Sequence, residues 1–162
     1  MNNLDKENKF TQEMQQVEIS KLVPYANNSR THSKEQIKKL QASLREFGFV
    51  NPILIDRKYN IIAGHGRVLA AKEDGLETVP CVFVDHLTEA QKKAYIIADN
   101  RLAEDAGWDK ELLSVELESL KELEFDIDLL GFDAAELNSL LNAAEDVQED
   151  DFGVEGELKK PT

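Results

Sequence analysis

The sequence lacks several features that define large classes of protein. Cys81 is the only cysteine, so the chain cannot form an internal disulfide, as expected in a reducing compartment. No apolar run approaches the length of a membrane span, and residues 1–16 lack the apolar segment of a secretion signal. These absences predict a cytoplasmic protein with no membrane partner.

Positive charge is also scarce. The 162 residues contain 32 Asp and Glu against 19 Lys and Arg, for a net charge of −13. Residues 133–162 hold 9 acidic and 2 basic residues, and residues 1–132 hold 23 and 17. Neither part has the dense basic face of an autonomous duplex-DNA binder. We therefore expect any DNA contact to be indirect or to come through an associated domain.

Strand and helix signals alternate along residues 17–107, and only helix signals follow. Ser33 with Gln36 and Thr88 with Gln91 are capping boxes that begin two of the helices. The second of these helices extends to about residue 106 by the period of its apolar positions, which are Ala94, Ile97, Ala98 and Leu102. The pattern predicts an α+β core followed by a helical appendage.

The most informative motif is the turn Gly64-His65-Gly66-Arg67, which joins a short apolar strand to a helix-forming run. Glycines let a backbone approach a ligand closely, a helix N-terminus presents free N–H groups, and an arginine adds a bidentate cation. The turn therefore predicts a phosphate site. The alternative is a tight strand-to-helix turn with a solvated Arg67.

Two further polar clusters could complete a pocket around this turn. One is the loop 28–32, and the other is Asp99-Asn100-Arg101 within a helix. If the clusters meet, three cations converge on the phosphates, namely Arg30, Arg67 and Arg101. Asp99 and Asn100 would then offer oxygen ligands to Mg²⁺. The alternative is an ordinary turn and a solvated helix face.

No catalytic residue follows from the pattern alone. His65 is a candidate for proton transfer because a bulky residue between two glycines must point in a defined direction. Asp99 is a second candidate.

The order of these motifs resembles that of the ParB/sulfiredoxin superfamily. Residues 17–107 resemble its ParB N-terminal-like domains, also called ParB-like nuclease domains. Asp99-Asn100-Arg101 resembles the Glu-Asn-Leu-Gln-Arg box of partitioning ParB proteins. The resemblance implies a small mixed sheet flanked by helices and a nucleoside triphosphate bound with Mg²⁺. It also implies a homodimer, because partitioning ParB dimerises on nucleotide binding.

The chain departs from these relatives in three respects. Partitioning ParB has Gly-Glu-Arg-Arg at the 64–67 turn, so one phosphate-binding arginine is missing at Gly66. The specificity of partitioning ParB for the cytidine base therefore cannot be assigned to this chain. Sulfiredoxin has its catalytic cysteine at the position of His65, so sulfiredoxin activity is not expected. No helix-turn-helix segment like that of partitioning ParB is expected, because residues 110–142 are short and acidic.

The closest resemblance is to the N-terminal module of phage and prophage DNA modification methyltransferases, which is carried by residues 94–109 and 129–132. Residues 1–162 contain no Asp-Pro-Pro-Tyr motif and no glycine-rich methionine-cofactor loop, so they are not themselves a methyltransferase. The expected function is a regulatory or targeting module that binds a nucleotide in a DNA-modification or phage system.

Two alternatives stay open. The first is a metal-dependent NTPase, kinase or nuclease that uses the same pocket. The second is a protein-interaction domain with a vestigial pocket.

The predicted organisation is a disordered segment 1–16, a ParB N-terminal-like domain 17–107, a helical extension 108–142 and an acidic linker or tail 143–162.

Overall fold

The computed structural model describes residues 13–26 and 31–142. The chain divides into two compact units, Met1–Asp105 and Ala106–Thr162. Each unit has its own secondary structure and its own apolar cluster.

Within the described part of the first unit, four short strands form one mixed sheet in the order β1-β4-β2-β3. β1 and β4 are antiparallel, β4 and β2 are parallel, and β2 and β3 are antiparallel. The strands are β1 Gln15–Glu18, β2 Ile53–Ile55, β3 Ile61–Ala63 and β4 Thr78–Phe83, and the helices are α1 Lys34–Phe47, α2 His65–Glu73 and α3 Glu89–Asp105. The predicted α+β fold with a small mixed sheet is confirmed.

The first strand begins earlier than predicted. Gln15 and Gln16 pair with Cys81 and Pro80 in the sheet, so the prediction of disorder through residue 16 is wrong at these two positions. β1 is an edge strand, and Val17 is its only buried residue. Backbone pairing at an edge does not require apolar side chains, which is why composition missed it. Residues 1–12 lie outside the described residues.

The core of the first unit lies around the two central strands. Ile53, Ile55, Val79 and Cys81 have no exposed surface, and five of the six residues of β4 are buried. A strand that is covered on both faces carries a continuous apolar run. Burial raises the pKa of the Cys81 thiol to about 11, as expected for a structural cysteine.

The two capping boxes differ in the structure. Thr88 and Gln91 form both reciprocal bonds at the beginning of α3. At α1, Ser33 Oγ accepts a hydrogen bond from Gln36 N, but the Gln36 side chain bonds to His32 Nδ1. The predicted box is therefore only half formed, because Gln36 has a different partner.

The buried face of α3 differs from the predicted apolar stripe. Ile97 and Leu102 are 64% and 68% exposed, whereas Ile96 is buried at 5%. Ile96 packs with Ile62 and Val84 in a small apolar cluster. Periodicity identified the helix, but it did not identify the side that contacts the sheet.

The described part of the second unit is helical, as predicted. It contains α4 Lys110–Glu122, a 3₁₀ turn Ile127–Leu130 and a last helix, α5, over residues 134–142. Asp109 caps α4 by accepting from Leu112 N, and Asp133 and Glu136 form a reciprocal capping box at α5.

The apolar cluster of this unit is built on Leu117, Leu137 and Leu140. None of the helices in the described residues is both long and apolar enough to cross a bilayer. The predicted tail, 143–162, lies outside the described residues.

Candidate functional site: a polar cleft at the 64–67 turn

The 64–67 turn forms where β3 ends and α2 begins. Gly64 has a φ of 103° and occupies the N-cap position, so it contributes no side-chain cap to the helix. Backbone N–H groups of a first turn without a cap can bind an anion, and the helix dipole favours negative charge there. This agrees with the predicted strand–turn–helix layout.

Protein atoms approach both glycines of the turn closely. A Cβ on Gly64 would lie 2.6 Å from Ile53 Cδ1 and 2.9 Å from Arg67 Nη2. A Cβ on Gly66 would lie 2.9 Å from Leu40 Cδ1 and 3.1 Å from the His32 ring. The glycines therefore let Arg67 and His32 pack directly onto the turn.

Arg67 is not a solvated side chain. Its Nη2 donates to the carbonyl oxygen of Pro52 over 3.1 Å, while its buried Nε has no hydrogen-bond partner among the described residues. Burial lowers the pKa of Arg67, and the charge of Asp99 acts in the opposite direction. The guanidinium is therefore held in place and incompletely hydrogen-bonded.

A mostly polar cleft of about 330 Å³ lies beside this arginine. Six predicted site residues line it, which are Gly64, His65, Gly66, Arg67, Asp99 and Asn100. Residues from β3, α2 and α3 thus meet at one cleft, as the sequence pattern suggested.

His65 connects the turn to the loop that follows β1. Its Nε2 accepts a hydrogen bond from the Tyr25 backbone N–H at 3.3 Å. Burial lowers the pKa of His65, and the charge of His32 lowers it further. His65 is therefore held in place through Nε2 at the edge of the cleft, and its role in proton transfer stays a prediction.

Asp99 lies one helical turn from Tyr95, whose hydroxyl group hydrogen-bonds to it. Burial raises the pKa of Tyr95, and Asp99 adds to that rise. Asn100 Nδ2 donates to Ile96 O over 2.8 Å, a bond that does not use its amide oxygen.

The described residues contain no group of three or more His, Cys, Asp or Glu side chains placed to hold a metal ion. Mg²⁺ that is bound with a nucleotide commonly takes one or two protein carboxylates, with phosphate and water completing its shell. Asp99 and Asn100 fit such a shared set of ligands.

Of the other two predicted arginines, the structure describes only Arg101. Arg101 does not line the cleft, and its side chain, which is 64% exposed, pairs with Glu104 and Asp105 on the same helix. Convergence of Arg101 on the phosphates is therefore not what this structure shows. Arg30 lies outside the described residues.

Three polar cleft residues were not assigned to it from the sequence, namely Gln36, Asn51 and Tyr95, whereas His32 belongs to the predicted polar loop 28–32. Tyr95 precedes Asp99 by four positions, so helical spacing gave a usable signal. His32 and Gln36 are also four positions apart. However, the contact of His32 with Gly66 depends on how α1 packs against α2, which spacing does not reveal.

Two regions of the chain match known protein families. The family described as ParB N-terminal domain matches residues 3–100, which is more than half of the chain. The chain belongs to the ParB N-terminal domain family. A second family, described as ParB-methyltransferase HTH domain, matches residues 111–162.

The second match overturns the expectation that no helix-turn-helix segment follows. That expectation was based on the short, acidic character of residues 110–142. A helix-turn-helix is defined by helix lengths and apolar positions rather than by charge, so acidity was the wrong criterion.

Two relatives and one solved structure illustrate the family. The ParB-like nuclease domain-containing protein YnaK of Escherichia coli K12 is 49% identical over 75 residues, covering 46% of this chain and 86% of that protein. Stage 0 sporulation protein J of Bacillus subtilis 168 is 31% identical over 96 residues, covering 57% of this chain but only 34% of that protein.

The solved structure is the C-terminally truncated chromosome-partitioning protein ParB of Caulobacter crescentus complexed with CTP-gamma-S. It aligns with a TM-score of 0.66 at 22% identity, covering 93% of this chain and 89% of that one. At this identity the likeness concerns the fold.

Proposed function

We propose that the cleft at the 64–67 turn binds the phosphates of a nucleoside triphosphate together with Mg²⁺. The observation that carries the proposal is the buried Nε of Arg67, which has no partner among the described residues. Arg67 belongs to the first turn of a helix that has no side-chain cap. A buried donor without an acceptor costs about 1–3 kcal/mol, more when it is charged. A phosphate oxygen would satisfy it.

The comparisons support a nucleotide as the source of that phosphate. The Caulobacter protein with the same fold is complexed with a CTP analogue. The base recognised by this chain stays open, because Gly66 stands where partitioning ParB proteins have a phosphate-binding arginine. An NTPase, kinase or nuclease activity at the same cleft also stays open.

The wider role that fits best is a regulatory or targeting module of a DNA-modification system, of phage or prophage type. The support is the match of residues 111–162 to the family described as ParB-methyltransferase HTH domain. In this proposal the chain acts in the cytoplasm, contacts DNA through an associated methyltransferase domain, and forms a homodimer when it binds nucleotide. Light scattering with and without nucleotide tests the homodimer.

Calorimetric titration of ATP, CTP and GTP in the presence of Mg²⁺ tests the central claim. A lost charge-assisted contact is worth about 2 kcal/mol, so Arg67→Ala should weaken binding roughly thirtyfold. Arg101→Ala removes the same charge outside the cleft and should bind nearly as the wild type does. If the wild type binds none of the three nucleotides at millimolar concentration, the proposal is wrong and a vestigial pocket is favoured.

Phosphate release in the same samples separates binding from catalysis. Stoichiometric binding without turnover supports the regulatory module. Metal-dependent hydrolysis that is lost in Arg67→Ala, but kept in Arg101→Ala, supports the enzymatic alternative.

A further inference from the structure

Asp56 is the only charged residue that is buried in the described part of the chain, and it does not line the cleft. It follows β2, and its carboxylate holds the turn that leads into β3. Oδ1 accepts hydrogen bonds from the backbone N–H groups of Lys58 and Asn60, both over 2.9 Å, and Oδ2 accepts one from the Asn60 side chain over 3.0 Å. Asp56 therefore fixes the beginning of the strand that ends at the 64–67 turn.

The same carboxylate also holds α3. Lys92 Nζ, on the first turn of α3, lies 3.1 Å from Asp56 Oδ2, and the two side chains are only 16% and 8% exposed. Burial acts to raise the pKa of Asp56, but hydrogen bonds from Asn60, Lys92 and Lys58 outweigh it and lower that pKa. The carboxyl group is therefore ionised at neutral pH. An ion pair shielded from water adds little net stability, because both charges lose hydration, but it ties two elements together in one geometry.

β3 and α3 both lead from this ion pair to the cleft. Asp99 and Asn100 follow Lys92 by seven and eight positions, which is about 10–12 Å of helix, and they share its face. Ile96 lies between them and Lys92 and packs against Ile62 of β3. Both proposed metal ligands then line the cleft, where β3 ends. One buried carboxylate thus joins the two elements that carry the two halves of the site.

We propose that Asp56 and Lys92 are positioning residues of the nucleotide site, and that their ion pair sets the distance between the metal ligands on α3 and the phosphate-binding turn after β3. The inference rests on the function proposed above. A metal ion shared by Asp99 and a phosphate held at Arg67 requires both elements at the correct separation. Direct contacts between Arg67 and the phosphates require only the turn. The ion pair therefore matters for binding with Mg²⁺ and much less for binding without it.

Lys92→Met breaks the link on one side only. Asp56 keeps the three hydrogen bonds within its own turn, so the beginning of β3 is preserved. Methionine is flexible and unbranched, so it fills the space of the apolar part of Lys92 and removes only the charge.

Calorimetric titration of ATP, CTP and GTP, in EDTA and then with Mg²⁺, gives the Mg²⁺ enhancement, which is the ratio of the dissociation constants without and with the metal. In EDTA we expect Lys92→Met to bind within about twofold of the wild type, because Arg67 is unchanged. Groups that support metal ligands change metal affinity by about 10–100-fold, so the Mg²⁺ enhancement should fall about tenfold.

Two control variants separate the ion pair from charge in general. Lys93→Met removes the same charge from the next residue of α3, which is exposed. Glu89→Gln removes the other partner of Lys92 Nζ, an 82% exposed carboxylate at 2.6 Å, and leaves the bond to Asp56 intact. Both variants should keep the dissociation constants of the wild type in EDTA and with Mg²⁺.

A Mg²⁺ enhancement in Lys92→Met equal to that of the wild type would overturn the inference, because a purely structural ion pair lowers stability without changing this ratio. An equal loss of binding with and without the metal would also overturn it, since that indicates general damage to the cleft. If Lys92→Met does not fold by circular dichroism, Lys92→Gln takes its place. Its shorter side chain keeps an N–H donor, so the enhancement should fall about threefold, and an unchanged value would contradict the inference.

The wild type separates the failure of this inference from that of the proposed function. If it binds nucleotide equally with and without Mg²⁺, the ion pair has no metal ligands to position and the inference is wrong, while the phosphate site remains. If it binds no nucleotide in either condition, the proposed function itself is refuted.

Discussion

Replacing Gly64 by alanine should test how the 64–67 turn holds the arginine. Gly64 has a φ of 103°, a conformation that L side chains rarely adopt. Its Cβ would also meet Ile53 Cδ1 at 2.6 Å and Arg67 Nη2 at 2.9 Å. Ile53 is fully buried and Arg67 is bonded to Pro52, so neither side chain can move without cost.

These two effects set the magnitude of the destabilisation. A left-handed backbone costs a residue with a Cβ about 1–2 kcal/mol, and overpacking a core costs about 1–3 kcal/mol. We therefore expect Gly64→Ala to lower the free energy of unfolding by about 2–5 kcal/mol. Urea denaturation followed by circular dichroism measures the loss.

Gly75→Ala is the matched control. Gly75 follows α2 and also has a positive φ, of 79°, but no neighbouring atom lies within 4 Å of the position that its Cβ would occupy. Only the backbone cost of about 1–2 kcal/mol should appear there. Equal destabilisation by the two substitutions would refute the packing argument at Gly64.

A double mutant identifies the atom responsible. Ile53→Val removes the δ carbon and costs about 0.5–1.5 kcal/mol alone. Combined with Gly64→Ala it should cost less than the sum of the single substitutions, because the closest contact is gone. Among the variants that fold, Gly64→Ala should also bind nucleotide less tightly than Gly75→Ala does, since it displaces the Arg67 side chain.

Three further predictions concern metal, pH and DNA. Replacing both Asp99 and Asn100 by alanine should abolish the Mg²⁺ dependence of nucleotide binding without changing the circular dichroism spectrum; an unchanged dependence would make them an ordinary solvated helix face. The pKa of His65 is lowered in the folded chain. Below pH about 6.5, the ordinary pKa of histidine, the unfolded chain therefore binds more protons than the folded chain does. Stability should therefore fall as pH decreases from about 6.5 through the lowered pKa, and His65→Gln should reduce that slope. Mobility-shift assays should show weak duplex-DNA binding at physiological salt because the net charge is −13, and tight, salt-resistant binding would contradict this.

Local signals predicted much of this fold. Helix starts at Thr88, Asp109 and Asp133 depend on residues three positions apart, and the structure forms these caps. The pairing of β1 with β4 joins residues about sixty positions apart, and no local pattern encodes it. The buried face of α3 was missed for the same reason, because Ile96 packs against Ile62 and Val84, which lie outside this helix.

The candidate site was also predicted only in part, by its local motifs and not by its long-range contacts. The 64–67 turn and Asp99 follow from short motifs, and both line the cleft. Arg101 has the residue type of a phosphate ligand, but Glu104 and Asp105 stand at helical spacing and pair with it. His32 is the last residue of the polar loop 28–32, which the sequence predicted as part of the pocket. Its contact with Gly66 depends on how α1 packs against α2.

The distribution of charge gives the two matched regions different physical characters. Residues 1–110 hold 16 acidic and 16 basic residues, whereas residues 111–162 hold 16 acidic and 3 basic residues. The whole net charge of −13 therefore lies in the segment that matches a helix-turn-helix family. Phosphate contacts from Lys and Arg supply most of the affinity of a DNA-binding domain, and this segment has few to offer. We therefore expect an associated protein domain to provide the positive charge for DNA binding, while the electrically balanced ParB N-terminal domain accommodates the charge of a nucleotide.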